Sequence, residues 1–473
     1  MFLKAQEAAE ATSTIEISPA AQVRPALRYR FWPAADKRRS ESATALYNRS
    51  ILAMTEVNLR ANLSADDIDN TYNKWLDGPL EVSEVEKVKS FLEKYDLAFG
   101  ELDRAIPMMR VDYELALENS SVEEWFSLSL QEVQSSRELA RLISLRAKVA
   151  AAEDRWDDHA RDVMTLYRLA DIVGKTNDFL VTKLVSLALL GIADGLVREA
   201  SVFDSSPNFY WALASVPESV FGMRDSIEVE TLVINRMMNF DVRLPETPIG
   251  REAAAVLWKE LAKEYASAFR LFDSTQRLDQ PAVDLASGLA VVALSGPSRE
   301  YLRENKSWGS KADDLSGIEA VLRATADQLQ VQTGDRLKWA LLPRTIRHRY
   351  IDRAEQFAGT RSRTPEAMLN PATMIIGLLL PAVQAANTAT MRYESMHYET
   401  ATLQALREHA ARTGELPKSL GEMELPAWPD PIRGHLENAG YGYVRENATT
   451  AKFKRDSRWP GDQAATLIIK LVK

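Results

Sequence analysis

Cysteine is absent from the 473 residues, which removes disulfides, thiolate zinc sites, iron–sulfur clusters and cysteine nucleophiles in one step. Long apolar runs are missing too. No stretch of about 18 uninterrupted apolar residues offers a spanning helix, and the opening MFLKAQEAAEATSTIEISPAAQ lacks the apolar centre of a signal peptide. The chain as written therefore reads as soluble, with no transmembrane segment. Glycine and proline are sparse at 20 each, so little of the chain has a disordered composition. No Gly-x-Ser-x-Gly elbow, phosphate loop or Gly-x-Gly-x-x-Gly opening is present, which leaves no motif for a hydrolase triad or a nucleotide.

What is present is an ordinary globular balance, 46 % hydrophobic and 26 % charged. The length suits two to four domains or one extended helical array. The net charge of −9 is spread over mixed-sign faces, which favours solubility over any named ligand. The nearest thing to a basic stripe is Arg24, Arg28, Arg30, Lys37, Arg38 and Arg39 around Phe31-Trp32. It reads as a solvated lead-in segment, not a nucleic-acid interface.

Residues 1–38 lack strong periodicity and carry Pro19, Pro25 and Pro33, so they are expected to form an extended arm that packs on the body. From there the apolar spacing is helical almost without relief. Ser40 or Ser42 is placed to cap a helix to about Asn62, Ser64 with Asp66 and Asp67 opens another, and Ser83 opens one that Pro107 ends. Helices are expected at about 121–152, 157–173, 176–200, 222–238, 249–271, 281–303, 313–329, 335–358 and 364–380. The segment VTKLVSLALLGIADGLV (181–197) is apolar on most sides but too short to span a bilayer, and reads as a buried centre. In LLLPAVQAAN (378–387), Pro381 is expected to break one helix and start the next, making a hinge. Strand-like patterns appear only after residue 436, at 441–447, 450–455 and 466–473.

The fold class is thus mainly α: a helical-hairpin body, tetratricopeptide-like or irregular, with a small C-terminal α+β unit of about three antiparallel strands. The expected divisions are an arm at 1–38, a helical body at 39–380, and a long helix plus sheet at 381–473.

Three constellations invite chemistry. EDRWDDHARD (153–162) sets five carboxylates around His159, but Asp158, His159 and Asp162 place at most two or three ligands on one helical face, so a solvated helix start is the reading taken over a metal site. Glu394 and His397 have the Glu-x-x-His spacing of a bundle di-iron site, yet no second copy exists among five histidines; His397 then reads as a rim or capping residue. Phe209, Tyr210 and Trp211 suit core packing better than a ligand surface. No catalytic, cofactor-binding or metal-binding residue is singled out, and no cofactor is expected.

Two resemblances bear on kinship. LISLRAKVAAAEDRWDDHARDVMTLYRLADIV (142–173) resembles a tetratricopeptide hairpin, with Asp154 where that family has glycine and His159 where it has a small alanine. Leu380-Pro381-Ala382-Val383-Gln384-Ala385-Ala386, followed by Gly414-Glu415-Leu416-Pro417, resembles type II pseudopilin-like proteins of planctomycete bacteria. The order from Leu403 to Val472, with the loop Asp430-Pro431-Ile432-Arg433-Gly434, and the segment Pro207–Leu213 are similar to uncharacterised, mostly helical secreted proteins of those bacteria. The resemblance implies an exported protein, and the opening is compatible with the mature end of a chain whose leader was trimmed. It does not imply pilus assembly, because the phrase lies late in the chain. The function expected is a non-enzymatic helical scaffold binding a protein partner outside the cytoplasm, with homo-oligomerisation open. The alternatives are a hydrolase of polysaccharide or peptide with carboxylates in an inter-helix cleft, and a structural subunit of a surface assembly.

Overall fold

The computed structural model describes residues 11–60, 73–112, 122–176, 179–229, 244–272, 280–304, 308–338, 342, 371–428, 442–455 and 465–472. The helix expected from Ser64, most of those at 222–238 and 335–358, much of that at 364–380, and the Asp430–Gly434 loop lie outside them. In chain order come β1 (Ala11–Ile17), β2 (Arg39–Ser42), α1 (Thr44–Arg60), α2 (Val85–Leu92), α3 (Asp96–Ala105), β3 (Met108–Arg110) and α4 (Val122–Ala152). Next are α5 (Trp156–Gly174), α6 (Leu180–Ala200), α7 (Tyr210–Leu213), α8 (Gly250–Phe272), α9 (Gln280–Glu304) and α10 (Gly317–Leu337). The order closes with α11 (Pro371–Thr413), β4 (Gly442–Arg445), β5 (Thr450–Arg455) and β6 (Ala465–Leu471). The protein is mainly α with a small sheet near its C-terminus, as the periodicity indicates.

The chain forms two compact units. One is Met1–Leu115, Ser129–Gly222 and Thr388–Lys473; the other is Ala116–Leu128 and Met223–Asn387. The division falls inside α4 and α11, not at Pro381. Helix α11 runs through Pro381 without a break, so the expected hinge is absent. A proline inside a helix removes a single i→i−4 bond at a cost of about 3 kcal/mol, and the continuing turns on both sides absorb it.

In the first unit the sheet has four strands in the order β1-β6-β5-β4. The three C-terminal strands pair antiparallel as expected, and β1 adds a fourth, parallel to β6 with Ile15 opposite Ile469 and Ile17 opposite Leu471. The described part of the arm thus includes a strand, and β2 pairs with β3 as a second, smaller sheet; strands do occur before residue 436. The signal was weak because β1 carries only two large apolar residues, Ile15 and Ile17, on its inner face.

Helix α11 passes beneath this sheet. Leu403, Leu406 and Ala410 pack against Ile17, Phe453, Ile469 and Leu471. Every residue from Thr400 to Ala410 is buried, polar ones included, so α11 is central here and not amphipathic. Many of its polar groups are matched, although Glu408 Oε2 and His409 Nδ1 are buried without a hydrogen-bond partner among the described residues. Arg407 donates to the carbonyls of Ser18 (2.8 Å), Ser206 (3.0 Å) and Pro207 (3.1 Å), while Asn208 Nδ2 donates to those of Ala20 and Gln404. Burial lowers the Arg407 guanidinium to about 9, so it remains charged at neutral pH.

Helix α6 has 21 residues, enough by length and composition to cross a membrane. The expectation of a stretch too short for that is corrected, because Leu180 and Arg198–Ala200 extend the helix beyond its apolar run. Its role as a buried centre stands, since 67 % of its most apolar window is covered by protein.

In the second unit the starts of α8 and α10 are joined at one polar point. Ser316 Oγ accepts from the Glu319 amide at the start of α10, and the Glu319 carboxylate accepts from the amides of Ile249 (2.8 Å) and Gly250 (3.1 Å) at the start of α8. Arg323 pairs with Glu319 at 2.9 Å, lies 4.4 Å from the Trp308 ring centroid and donates to the carbonyls of Pro245 and Thr247.

Candidate functional site

The first unit carries an open cleft of about 340 Å³ between arm residues 28–37, the end of α3 with Ile106-Pro107, and the start of α5. The arm is anchored by its aromatics. Phe31 is fully buried, stacks on Tyr167 at 5.7 Å and meets Phe209 at 5.4 Å, and its amide donates to Ser215 Oγ. Trp32 lies under the Arg168 guanidinium at 4.8 Å. Around these anchors Arg28 and Arg30 line the cleft.

Four cations line it, Arg28, Arg30, Lys37 and Arg161, with two carboxylates, Asp103 and Asp157. Both carboxylates are already taken: Arg146 holds Asp103 through two bonds of 3.0 and 3.2 Å, and Arg28 holds Asp157 at 3.1 Å. Arg161 pairs with Asp158 outside the cleft. Lys37 reaches only the exposed Asp36, at 3.6 Å. Among the described residues Arg30 makes no hydrogen bond or ion pair. Trp32, Ile106, Pro107 and Met164 supply an apolar floor and wall.

The carboxylates of 153–162 do not converge. Glu153 pairs with Lys89 and Arg155, Asp154 accepts from Ser205, Asp157 from Arg28, Asp158 from Arg155 and Arg161, and Asp162 from Arg146. Among the described residues no group of three or more His, Asp or Glu is arranged to hold a metal. His159 faces inward between Trp156 and Phe209 with Nδ1 3.0 Å from the Ala147 carbonyl, so that nitrogen carries the proton, and Nε2 is buried without a partner. Burial holds its imidazole down at about 4, and pushes the nearby Asp162 carboxyl up to about 6 against the pull of Arg146.

His397 is not at a rim. It is 1 % exposed, with Nδ1 2.9 and 3.1 Å from the two carboxylate oxygens of Asp194 on α6. Tyr167 donates to Asp194, and Tyr393 lies 3.4 Å from His397 Nδ1. Burial, with the Asp194 charge behind it, drives both phenols well above their usual range, so each stays protonated. An Asp–His pair with two tyrosines has the parts of an acid–base relay, but it is closed to a substrate arriving from solvent. It acts as a polar bolt between α5, α6 and α11. The sequence hinted at it through Asp194 set inside an apolar helix, a position that demands a partner.

Phe209 and Tyr210 are buried, in keeping with packing of the short α7, whereas Trp211 is 36 % exposed and is not part of the core. No family model, curated protein or solved structure matches the chain.

Proposed function

We propose that the protein is a non-enzymatic helical scaffold that works outside the cytoplasm and binds a protein partner through the cleft between its arm and α5. The observation that carries this reading is the cleft itself: open, apolar-walled, and lined by four cations of which, among the described residues, Arg28 and Arg161 pair with internal carboxylates, Arg30 pairs with none and Lys37 meets only the exposed Asp36. The extracytoplasmic setting rests on the likeness of the C-terminal segments to secreted planctomycete-type proteins. The hairpin of α4 and α5 adds a tetratricopeptide-like element. Asp154 takes the left-handed conformation, φ 56°, at the position where that family has glycine.

A hydrolase would need two carboxylates free to act as acid and base, and the two in this cleft are each held by an arginine. Among the described residues the geometry therefore favours binding over hydrolysis. A photo-crosslinking residue at Ala34, inside the cleft, is expected to capture a discrete partner in the native host, and one at the exposed Leu59 on α1 is not. Equal labelling from both positions, or turnover of peptide or polysaccharide by the purified protein, contradicts the reading.

A further inference from the structure

Charge in this cleft runs against the rest of the molecule. The chain is acidic overall, at −9, yet the cleft has four cations to two carboxylates, and both carboxylates are neutralised by arginines. What remains for a ligand is Arg30, without a partner among the described residues, and Lys37, whose contact with Asp36 at 3.6 Å is solvent-exposed on both sides. Exposed pairs of that kind contribute little and exchange readily for a better acceptor.

The apolar side of the cleft fixes the rest of the occupant. Ile106, Pro107 and Met164 carry no side-chain hydrogen-bond donor and Trp32 only its indole N–H, too few for a phosphate ladder, but together they suit one or two apolar side chains. A nucleic acid would want a row of cations matched to successive phosphates, and here only two are uncommitted. A simple inorganic anion would leave the apolar wall wet.

Resting on the reading of this cleft as a protein-binding surface, we infer that it takes a short acidic peptide segment, in which Asp or Glu carboxylates meet Arg30 and Lys37 and a neighbouring apolar side chain lies against Trp32, Ile106 and Met164. Arg30 gives a planar fork for a carboxylate, and Lys37 a mobile point charge at the rim. The pair selects acidic sequences more than it adds affinity, because charge complementarity at an open cleft acts chiefly on choice and on-rate.

The test is fluorescence anisotropy of the purified full chain with a labelled short peptide alternating Glu and Leu, beside its Gln/Leu and Lys/Leu counterparts. The Glu/Leu peptide is expected to bind about five- to thirtyfold more tightly than the Gln/Leu one, as two rim ion pairs allow. Binding should weaken as salt rises from about 0.05 to 0.5 M. Arg30→Ala with Lys37→Ala should abolish that preference, and Arg30→Glu with Lys37→Glu should transfer it to the Lys/Leu peptide. The thermal midpoint serves as the folding control. Equal binding of Glu/Leu and Gln/Leu, an unchanged preference in the double variant, or displacement by inorganic phosphate at the peptide's own concentration overturns the inference. If the crosslinker at Ala34 captures a partner through a segment without acidic residues, the acidic specificity fails and the binding function stands. If neither peptide nor partner binds at the cleft, both fail.

Discussion

At the scale of single residues, the interior of the first unit is more polar than its apolar stripes suggest, and two of its groups titrate in opposite senses. His159 has its protonated form disfavoured by burial, from 6.5 in the unfolded chain to about 4. The unfolded chain therefore binds more protons between those values, and stability is lost as pH falls through that window, by up to about 3 kcal/mol. Asp162 moves the other way, from 3.8 to about 6. Its contribution is fully present below 3.8 and is lost as pH rises through 6, by a similar amount. The two nearly cancel in the intact protein. Relative to wild type, His159→Leu should therefore gain stability as pH is lowered from about 7 to 4.5, and Asp162→Asn should lose it, each by roughly 2 kcal/mol in urea unfolding. Parallel slopes for both variants would show that one of these groups is not buried as described. A smaller test concerns Asp154, which keeps a left-handed backbone while accepting from Ser205. Asp154→Ala is expected to cost about 1–2 kcal/mol and Asp154→Gly much less, read from denaturant midpoints.

At the scale of elements, helices were the legible part. Their apolar period, with turn residues between, placed α4, α5, α6, α8 and α9 within a few residues of their observed bounds. The strands TAKFKR and TLIIKLVK were legible for the same reason, since a whole face is apolar. β1 was not, because its partner β6 lies at the other end of the chain and no local pattern reports so distant a pairing. Pro381 misled because a local rule about proline says nothing of how many turns follow it. The buried polar groups of α11 were hidden for a related reason: Arg407 and Gln404 look like a solvated face until Ser18, Ser206 and Pro207 supply the partners of the one, and the Phe209 amide and Ser201 those of the other. The claim that β1 is an integral strand can be checked at Ile17, which is fully buried against Leu471 and Phe453. Ile17→Ala should cost about 3 kcal/mol in denaturant unfolding. A loss below about 1 kcal/mol would mean that the strand is detached in solution.

At the scale of the whole molecule, the chain does not divide in the order in which it is written. The first unit draws on three separate stretches, so an arm, a body and a tail read in sequence cut across the contacts that form it. The cleft shows the same limit. The six arm cations and the Phe31-Trp32 pair were visible as a cluster, yet that only Arg28, Arg30 and Lys37 among them line the cleft depends on the packing of those aromatics on Tyr167, Phe209 and Arg168. Which cations remain free depends on Arg146 and Arg28 claiming Asp103 and Asp157, pairings that spacing in the sequence does not encode. The central claim, that this cleft is where a protein partner binds, is tested most directly by quantitative capture from the native host with the wild-type chain and with Ala34→Trp, which fills the cleft. The partner should be lost from the variant while its thermal midpoint stays within a few degrees of wild type. Equal recovery of the same partner by both proteins would contradict it.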